Sequence, residues 1–295
     1  MNINVQQNIS IKEYTTFRLG GAARFFAEAK DWETFLGLRE FAKLQNVPFV
    51  VLGGGSNVLF ADDGYPGLVI LNRMDKIFFH GKTVTAEGAV SISQLTMIAA
   101  QQNLGGISGL ANVPGSVGGA VYGNAGVPDV YVKDVFMNAT ILPTNANQPL
   151  IVGPDYAKFG YRDSYFKKSK DIILSATFKL KKMPVALVKQ EIGQYIKERT
   201  IKQPVGLTCG SFFKNPGTFP SAGWLIEQSG CKGMKLGGAQ VSEKHGNWIM
   251  NTGNATTSDV VNLALQVHKM VKEKYNVELE PEVQILPISP FSKAN

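Results

Sequence analysis

The 295-residue sequence is poor in the groups that build metal centres and disulfide frameworks. Its two cysteines, Cys209 and Cys231, are too few for a disulfide scaffold and match no zinc-knuckle spacing. Three histidines, His80, His245 and His268, are scattered singly, so no dedicated metal site is expected. No apolar run reaches the ~18 residues that a bilayer core requires, which excludes a membrane-spanning helix. The stretch from Met1 to Lys12 lacks the basic-then-apolar pattern of a secretory signal. With cysteine this scarce, the expectation is a reducing, cytoplasmic setting. No internal repeat or low-complexity tract is visible.

What is present describes an ordinary globular chain. A hydrophobic content of 44% against 18% charged residues supplies a substantial core and excludes disorder as the dominant state. At ~150 residues per domain, the length suggests about two domains. Thirty basic against 23 acidic residues leave a net charge of +7. That balance suits nucleic acid or a polyanionic small molecule, and the basic residues form no long tract. Glycine is the anomaly. It occurs 31 times, roughly one residue in ten against a usual ~7%, and it is clustered.

Asp31 reads as the N-cap of a helix that turns Phe35, Leu38, Phe41 and Ala42 to one side. A short buried strand, Val47 to Leu52, then runs into Gly53-Gly54-Gly55-Ser56-Asn57, and Gly67 to Leu71 is the next strand. Helix, strand and glycine turn in that order read as α/β architecture. Residues 77–90 alternate as strands around a Gly81-Lys82 turn, and Ile92 to Asn103 has helical spacing. Strands are expected at Val135 to Leu142 and Ile172 to Leu180. Lys181 to Pro184 is the best domain boundary, with a helix after Pro184 carrying Val188, Ile192, Tyr195 and Ile196. Ser258 is expected to cap a long final helix, and Glu282 to Leu286 to close the chain as a strand.

A strand that ends in a glycine turn is where many α/β proteins receive phosphate, through free backbone N–H groups. Gly53 to Asn57 fits that description, although a tight strand-to-loop turn explains it equally well. It is neither a Rossmann fingerprint, because Val58 stands where the third glycine belongs, nor a P-loop. The longer run from Gly105 to Gly126 tilts the balance toward a ligand. There Gly115-Ser116-Val-Gly118-Gly119 and Gly123-Asn-Ala-Gly let backbone lie flat against a planar group and a diphosphate. The competing reading is a glycine-rich Ω-loop. Two such loops about sixty residues apart suggest a dinucleotide.

Three polar motifs stand in apolar surroundings. Phe159-Gly-Tyr-Arg162-Asp-Ser164 places a permanently charged fork between aromatics, aimed at an anion or stacked on a ring. Cys209-Gly-Ser211-Phe-Phe-Lys214-Asn215-Pro216 offers a hydroxyl in a dry pocket with Lys214 and Asn215 as anion contacts, or simply a turn serine. It is not a nucleophile elbow, since residue 213 is Phe. Cys209 itself reads as an inert small core residue rather than a nucleophile. Glu280-Pro-Glu282-Val-Gln puts a carboxylate just inside a strand, which is unusual unless it is paired.

Taken together, these stretches resemble one family. Thr16-Phe-Arg-Leu-Gly-Gly21, Gly53 to Asn57, Ile107 to Ala120 (which holds Asn112 and Pro114), Tyr161 to Ser164, Gly210 to Pro216, Ala222 to Glu227 and Leu279 to Val283 occur in the order found in UDP-N-acetylenolpyruvoylglucosamine reductases (MurB). The resemblance spans nearly the whole chain. It departs mildly at Tyr14, where asparagine is common, and at Cys209, usually another small residue. The short Arg162-to-Ser211 connection resembles the compact subclass that lacks a tyrosine-bearing flap.

The resemblance implies an α+β protein. Its FAD-binding domain would be of the vanillyl-alcohol-oxidase (PCMH) type, in two subdomains at 1–75 and 76–183, followed by a substrate-binding domain at 184–295. It implies non-covalent FAD, NADPH as reductant, and reduction of an enolpyruvyl UDP-sugar in peptidoglycan synthesis, with neither nucleic acid nor membrane insertion. Arg162 would correspond to the catalytic arginine, Ser211 to the proton-donating serine and Glu282 to the catalytic glutamate. Gly53, Gly54, Gly55, Ser56, Asn57, Asn112, Pro114, Gly115, Ser116, Gly118, Gly119 and Gly123 would hold FAD. Lys202, Lys214 and Asn215 would contact substrate. Two rivals remain at this point: a flavin oxidase of the same superfamily, and a non-enzymatic nucleotide- or RNA-binding protein that uses the basic balance.

Overall fold

The computed structural model describes residues 3–217, 219–287, 290 and 291. The chain forms two compact units. The first is built mainly from Phe26–Gly54 and Leu68–Arg199, the second from Gln6–Phe25, Gly55–Gly67 and Thr200–Asn295.

In the first unit Asp31 caps the helix Trp32–Leu44, its side chain accepting from the Thr34 N–H, and Phe35, Leu38 and Ala42 are buried as the spacing predicts. The strand Phe49–Leu52 follows and pairs in parallel with Tyr65–Asn72, in the register Phe49 to Leu68 through Leu52 to Leu71. The glycine run at 53 therefore leaves the end of a parallel strand, the location that favours anion-binding turns.

The remainder of this unit is a five-stranded antiparallel sheet in the order Leu150–Val152, Phe136–Leu142, Ile172–Lys179, Thr83–Glu87, Ile77–His80. Alternation decides its two faces. Val84, Ala86, Ala139, Ile141, Ala176 and Phe178 point into the core, and Leu95, Ala99, Val117 and Val121 of the helices Ile92–Gln101 and Val117–Tyr122 pack in the same cluster. On the other face Thr85 and Thr177, cross-strand partners, share a hydroxyl hydrogen bond of 2.9 Å. The helix Val117–Tyr122 lies inside the long glycine run, where the sequence pattern suggests only loop. Ser116 caps it, because its hydroxyl accepts from the Gly119 N–H.

The second unit has its own core, formed by Phe17, Leu19, Leu59, Phe212, Phe213, Leu225, Ile226, Val260, Leu263 and Val267 among others. Its three-stranded sheet runs Lys235–Leu236, Ala239–Val241, Ile249–Asn251. The strand Gln284–Leu286 lies parallel to Val58–Phe60. Glu282 thus precedes the last strand rather than standing inside it.

The long helix Thr257–Tyr275 is capped by Thr256 and Asp259 in a reciprocal box, not by Ser258. Ser258 is the second residue of the helix, and there Asp62 completes the cap from far away in sequence. Its carboxylate accepts from the N–H groups of Thr257 (2.7 Å) and Ser258 (2.8 Å) and from the Ser258 hydroxyl (2.6 Å). Partial burial raises the Asp62 carboxyl pKa, but these donors from Ser258 and Thr257 outweigh it and leave the group below its ordinary value. A depressed folded pKa means that the contribution is complete above the unfolded value of ~3.9 and is lost as pH falls through the folded one. Asp62→Asn is expected to cost about 1 kcal/mol at neutral pH, as other cap losses do. The gap in melting temperature between variant and parent should narrow as pH falls below the ordinary carboxylate value of ~3.9, which thermal scans at neutral and acid pH would measure.

Candidate active site

Two glycine loops abut in the first unit. A Cβ on Gly53 would collide with the Ser116 hydroxyl, and one on Gly54 would lie 2.8 Å from the Gly115 Cα. The backbone N–H groups of Gly53, Gly54, Gly115 and Ser116 donate to no described residue. Four donors without a described partner, on two touching loops, could hold an anion such as the diphosphate of a dinucleotide. Gly118, Gly119 and Gly123 differ: their N–H groups donate to Gly88 O (2.9 Å), Ser116 Oγ (3.3 Å) and Gly119 O (3.0 Å). Those three shape the helix turn rather than offer donors. Asn112 and Pro114 lie exposed just before the loop. Gly54→Ala would force backbone against backbone, at a cost of about 1–3 kcal/mol typical of overpacking. The expected result is a purified protein with a reduced flavin-to-protein absorbance ratio and a lower melting temperature.

Arg162 occupies a turn in the same unit. Gly160 N–H donates to Asp163 O at 3.0 Å, and Arg162, the third residue of the four, has φ +51°. That left-handed conformation costs a non-glycine residue of order 1 kcal/mol and is kept where the surroundings hold it. Three contacts do so. Asn124 Nδ2 donates to Gly160 O (2.7 Å), Ser164 Oγ to Tyr122 O (2.7 Å) and Lys167 Nζ to Arg162 O (2.5 Å).

Arg199 lies near enough for burial and then the like charge of Arg162 to hold its guanidinium below the ordinary value. Sequence reasoning passed over Arg199. Its signal was the position one helical turn before Lys202, which ends the helix Val185–Lys202 and is exposed.

In the second unit the segment around Ser211 is held from both edges. On one side Phe212 N–H donates to Asn247 O (2.8 Å), while the Asn247 amide bonds Phe213 N–H (2.9 Å) and Phe213 O (2.7 Å). On the other, Glu282 N–H donates to Phe212 O (2.8 Å) and Lys214 N–H to Glu280 O (2.8 Å). One small ladder therefore carries both Ser211 and Glu282.

Asn57 joins it: Asn57 Nδ2 donates to Glu282 O (3.2 Å), and Gln284 N–H to Asn57 O (3.1 Å). The run Gly53 to Asn57 is thus divided, with Gly55, Ser56 and Asn57 in this unit. A Cβ on Gly55, at φ +61°, would strike the Tyr14 carbonyl.

Ser211 faces Trp248 across an antiparallel bridge, so their side chains share one face. Among the described residues, the Ser211 hydroxyl makes no hydrogen bond, and the buried Trp248 Nε1 has no partner. Burial and then the charge of Glu282 push the Cys209 thiol upward, which keeps it protonated and inert in the core. Lys214 Nζ pairs with Glu280 Oε1 at 2.5 Å, and Asn215 Oδ1 accepts from Ala222 N–H at 3.0 Å. Asn247 and Trp248 carry no signature in the linear sequence, because their roles arise only from pairing with Ser211 to Phe213.

Comparison with known proteins agrees with this organisation. Residues 23–143 match the model of an FAD binding domain, and residues 202–286 match the C-terminal domain of UDP-N-acetylenolpyruvoylglucosamine reductase. The chain is 36% identical to the UDP-N-acetylenolpyruvoylglucosamine reductase of Clostridium novyi over 284 residues, 96% of this chain and 92% of that one. It is 38% identical to the Caldicellulosiruptor bescii enzyme of that name over 282 residues, 94% of this chain and 88% of that one. The chain belongs to the UDP-N-acetylenolpyruvoylglucosamine reductase family.

The crystal structure of the MurB enzyme from Thermus caldophilus matches with a TM-score of 0.83 at 29% identity. The match covers 97% of this chain and 100% of that one. The fold is accordingly the vanillyl-alcohol-oxidase type of FAD domain followed by the reductase family's C-terminal α+β domain, and the protein is an FAD-dependent oxidoreductase. Among the described residues, no helix is long and apolar enough to cross a membrane, and no cluster of three His, Cys, Asp or Glu side chains is placed to hold a metal ion.

Proposed function

We propose that this protein reduces the enolpyruvyl group of a UDP-N-acetylglucosamine enol ether, with NADPH as the source of electrons, in the cytoplasmic synthesis of a peptidoglycan precursor. FAD, when bound, would supply the hydride chemistry between NADPH and the methylene carbon of the substrate. The rest is done by side chains. Gly53, Gly54, Gly115 and Ser116 hold the FAD diphosphate through their backbone N–H groups, with Gly118, Gly119 and Gly123 keeping that surface low. Residues 1–75 and 76–183 serve as the two FAD subdomains, and 184–295 as the substrate domain.

Arg162 answers the negative charge that develops on the substrate carboxylate and its neighbouring carbon, with a guanidinium that cannot deprotonate at working pH. Ser211 gives its proton to that carbon. Glu282, whose N–H donates to Phe212 O on the same ladder, bonds the developing enolate. Lys202, Lys214 and Asn215 attend the diphosphate of the sugar nucleotide. Several ligand phosphates thereby account for the +7 charge without nucleic acid.

The observation that supports this reading best is the Ser211 hydroxyl. It makes no hydrogen bond with a described residue, yet its backbone is braced on both edges, by Asn247 and by the Glu282 segment. Such a group is positioned but uncommitted, as a proton donor must be. The test is anaerobic. NADPH should bleach the flavin of the purified protein, and the enolpyruvyl sugar nucleotide should restore its colour faster than air does. Reoxidation by oxygen alone would favour the oxidase reading, and a colourless protein with steeply salt-dependent RNA binding would favour the non-enzymatic one.

A further inference from the structure

We propose that Asn124 is a positioning residue for Arg162, acting through Gly160, and that it ties the flavin-side glycine loop to the arginine turn. The inference rests on the reading of Arg162 as the group that meets the substrate carboxylate. Its own evidence is separate. Asn124 is 1% exposed, and both ends of its amide are engaged: Oδ1 accepts from Lys133 N–H at 3.1 Å, and Nδ2 donates to Gly160 O at 2.7 Å. Its φ of +43° lies in the left-handed region that asparagine tolerates better than most residues. Arginine has no such tolerance, yet Arg162 sits at φ +51° two residues beyond the carbonyl that Asn124 grips.

A second strut runs parallel. Ser164, 2% exposed, donates its hydroxyl to Tyr122 O at 2.7 Å. The segment Tyr122 to Asn124 thus holds the four-residue turn at both ends, at Gly160 and just past Asp163. That segment begins at the last residue of the helix Val117–Tyr122, whose first turn follows Gly115 and Ser116. A shift of the glycine loop is therefore transmitted to the arginine through a helix of six residues and two partly buried hydrogen bonds. A guanidinium on a long side chain is displaced by any tilt of its turn, and misplacements of about 1 Å cost catalytic groups roughly 10²-fold.

Asn124→Asp is the discriminating change. It keeps size and the acceptor for Lys133, and replaces the donor facing Gly160 O with an oxygen that repels it. Ser164→Ala removes the second strut. Each variant, as FAD-loaded protein normalised to flavin content, would be titrated calorimetrically with two ligands. One is the enolpyruvyl UDP-sugar, and the other is UDP-N-acetylglucosamine, which lacks the carboxylate.

Correct placement of Arg162 appears as the ratio of the two affinities, which a general loss of stability does not move. Asn124→Asp and Ser164→Ala are expected to lower that ratio about tenfold relative to the parent while binding of UDP-N-acetylglucosamine is unchanged. Arg162→Met is the reference and should abolish the preference. If Arg162→Met lowers the ratio and neither strut variant does, the positioning role is wrong. If Arg162→Met leaves the ratio intact, the reading of Arg162 fails first, and this inference fails with it. Should Asn124→Asp not fold, Ser164→Ala decides on the same ratio.

Discussion

Ser211→Ala is expected to slow reoxidation of the reduced flavin by the enolpyruvyl sugar nucleotide by about 10²–10⁴-fold, the usual worth of a general acid. Reduction of the flavin by NADPH should be unchanged. The structure separates this effect from unfolding. The hydroxyl removed makes no hydrogen bond with a described residue, so its loss leaves no buried partner unsatisfied. The backbone that carries it is braced through Phe212, Phe213 and Lys214 by Asn247, Glu280 and Glu282, none of which depends on the serine side chain. Stopped-flow single turnovers under nitrogen measure each half-reaction separately. Equal losses in both would make Ser211 structural and remove the proton donor from the scheme.

The second large effect is expected at Arg162. Arg162→Met keeps most of the side-chain length and removes the charge. It should lower kcat/KM for the enolpyruvyl substrate by at least about 10²–10³-fold, the range for losing one preorganised donor to a developing anion. Three contacts that hold the turn, at the Arg162 and Gly160 carbonyls and the Ser164 hydroxyl, are kept in the variant. Arg162→Lys is the informative companion. It restores a point charge without the planar fork, so a partial recovery of rate would apportion the effect between charge and geometry. Initial rates across substrate concentration distinguish the cases. A fall in kcat and kcat/KM together marks an interaction made in the transition state, and a rise in KM alone marks uniform binding. The latter would reduce Arg162 to a substrate anchor.

Much of this molecule was legible before its structure. The helix after Asp31, the parallel strand that feeds Gly53, the hairpin about Gly81 and the long last helix all rest on local rules of capping, alternation and spacing. The excess glycine was also read correctly as close backbone approach, since Gly53 and Gly54 press on Gly115 and Ser116. Where the reading differed, distant residues had intervened. Ser258 looked like the helix cap because it is the serine before the apolar face. Thr256 fills that role, and Asp62, almost two hundred residues earlier, bonds Ser258 instead. The helix within Val117–Tyr122 was hidden because glycine has poor helix propensity, which Ser116 capping and packing of Val117 and Val121 overcome.

The sequence alone determined which residues are chemically able to act: a fork of fixed charge at 162, a hydroxyl at 211, a carboxylate at 282, and glycines where no side chain could be tolerated. Those are properties of residue type and near-neighbour pattern, and they are written locally. Only the tertiary structure decided how they are held. It set Ser211 and Glu282 on one ladder, gave Asn57 to the Glu282 backbone, and placed Asn124 under the arginine turn. Each of these is a hydrogen bond between residues dozens to hundreds of positions apart. Such contacts form because buried polar groups must find partners when the chain collapses, and the one-dimensional pattern does not record which partner each will meet.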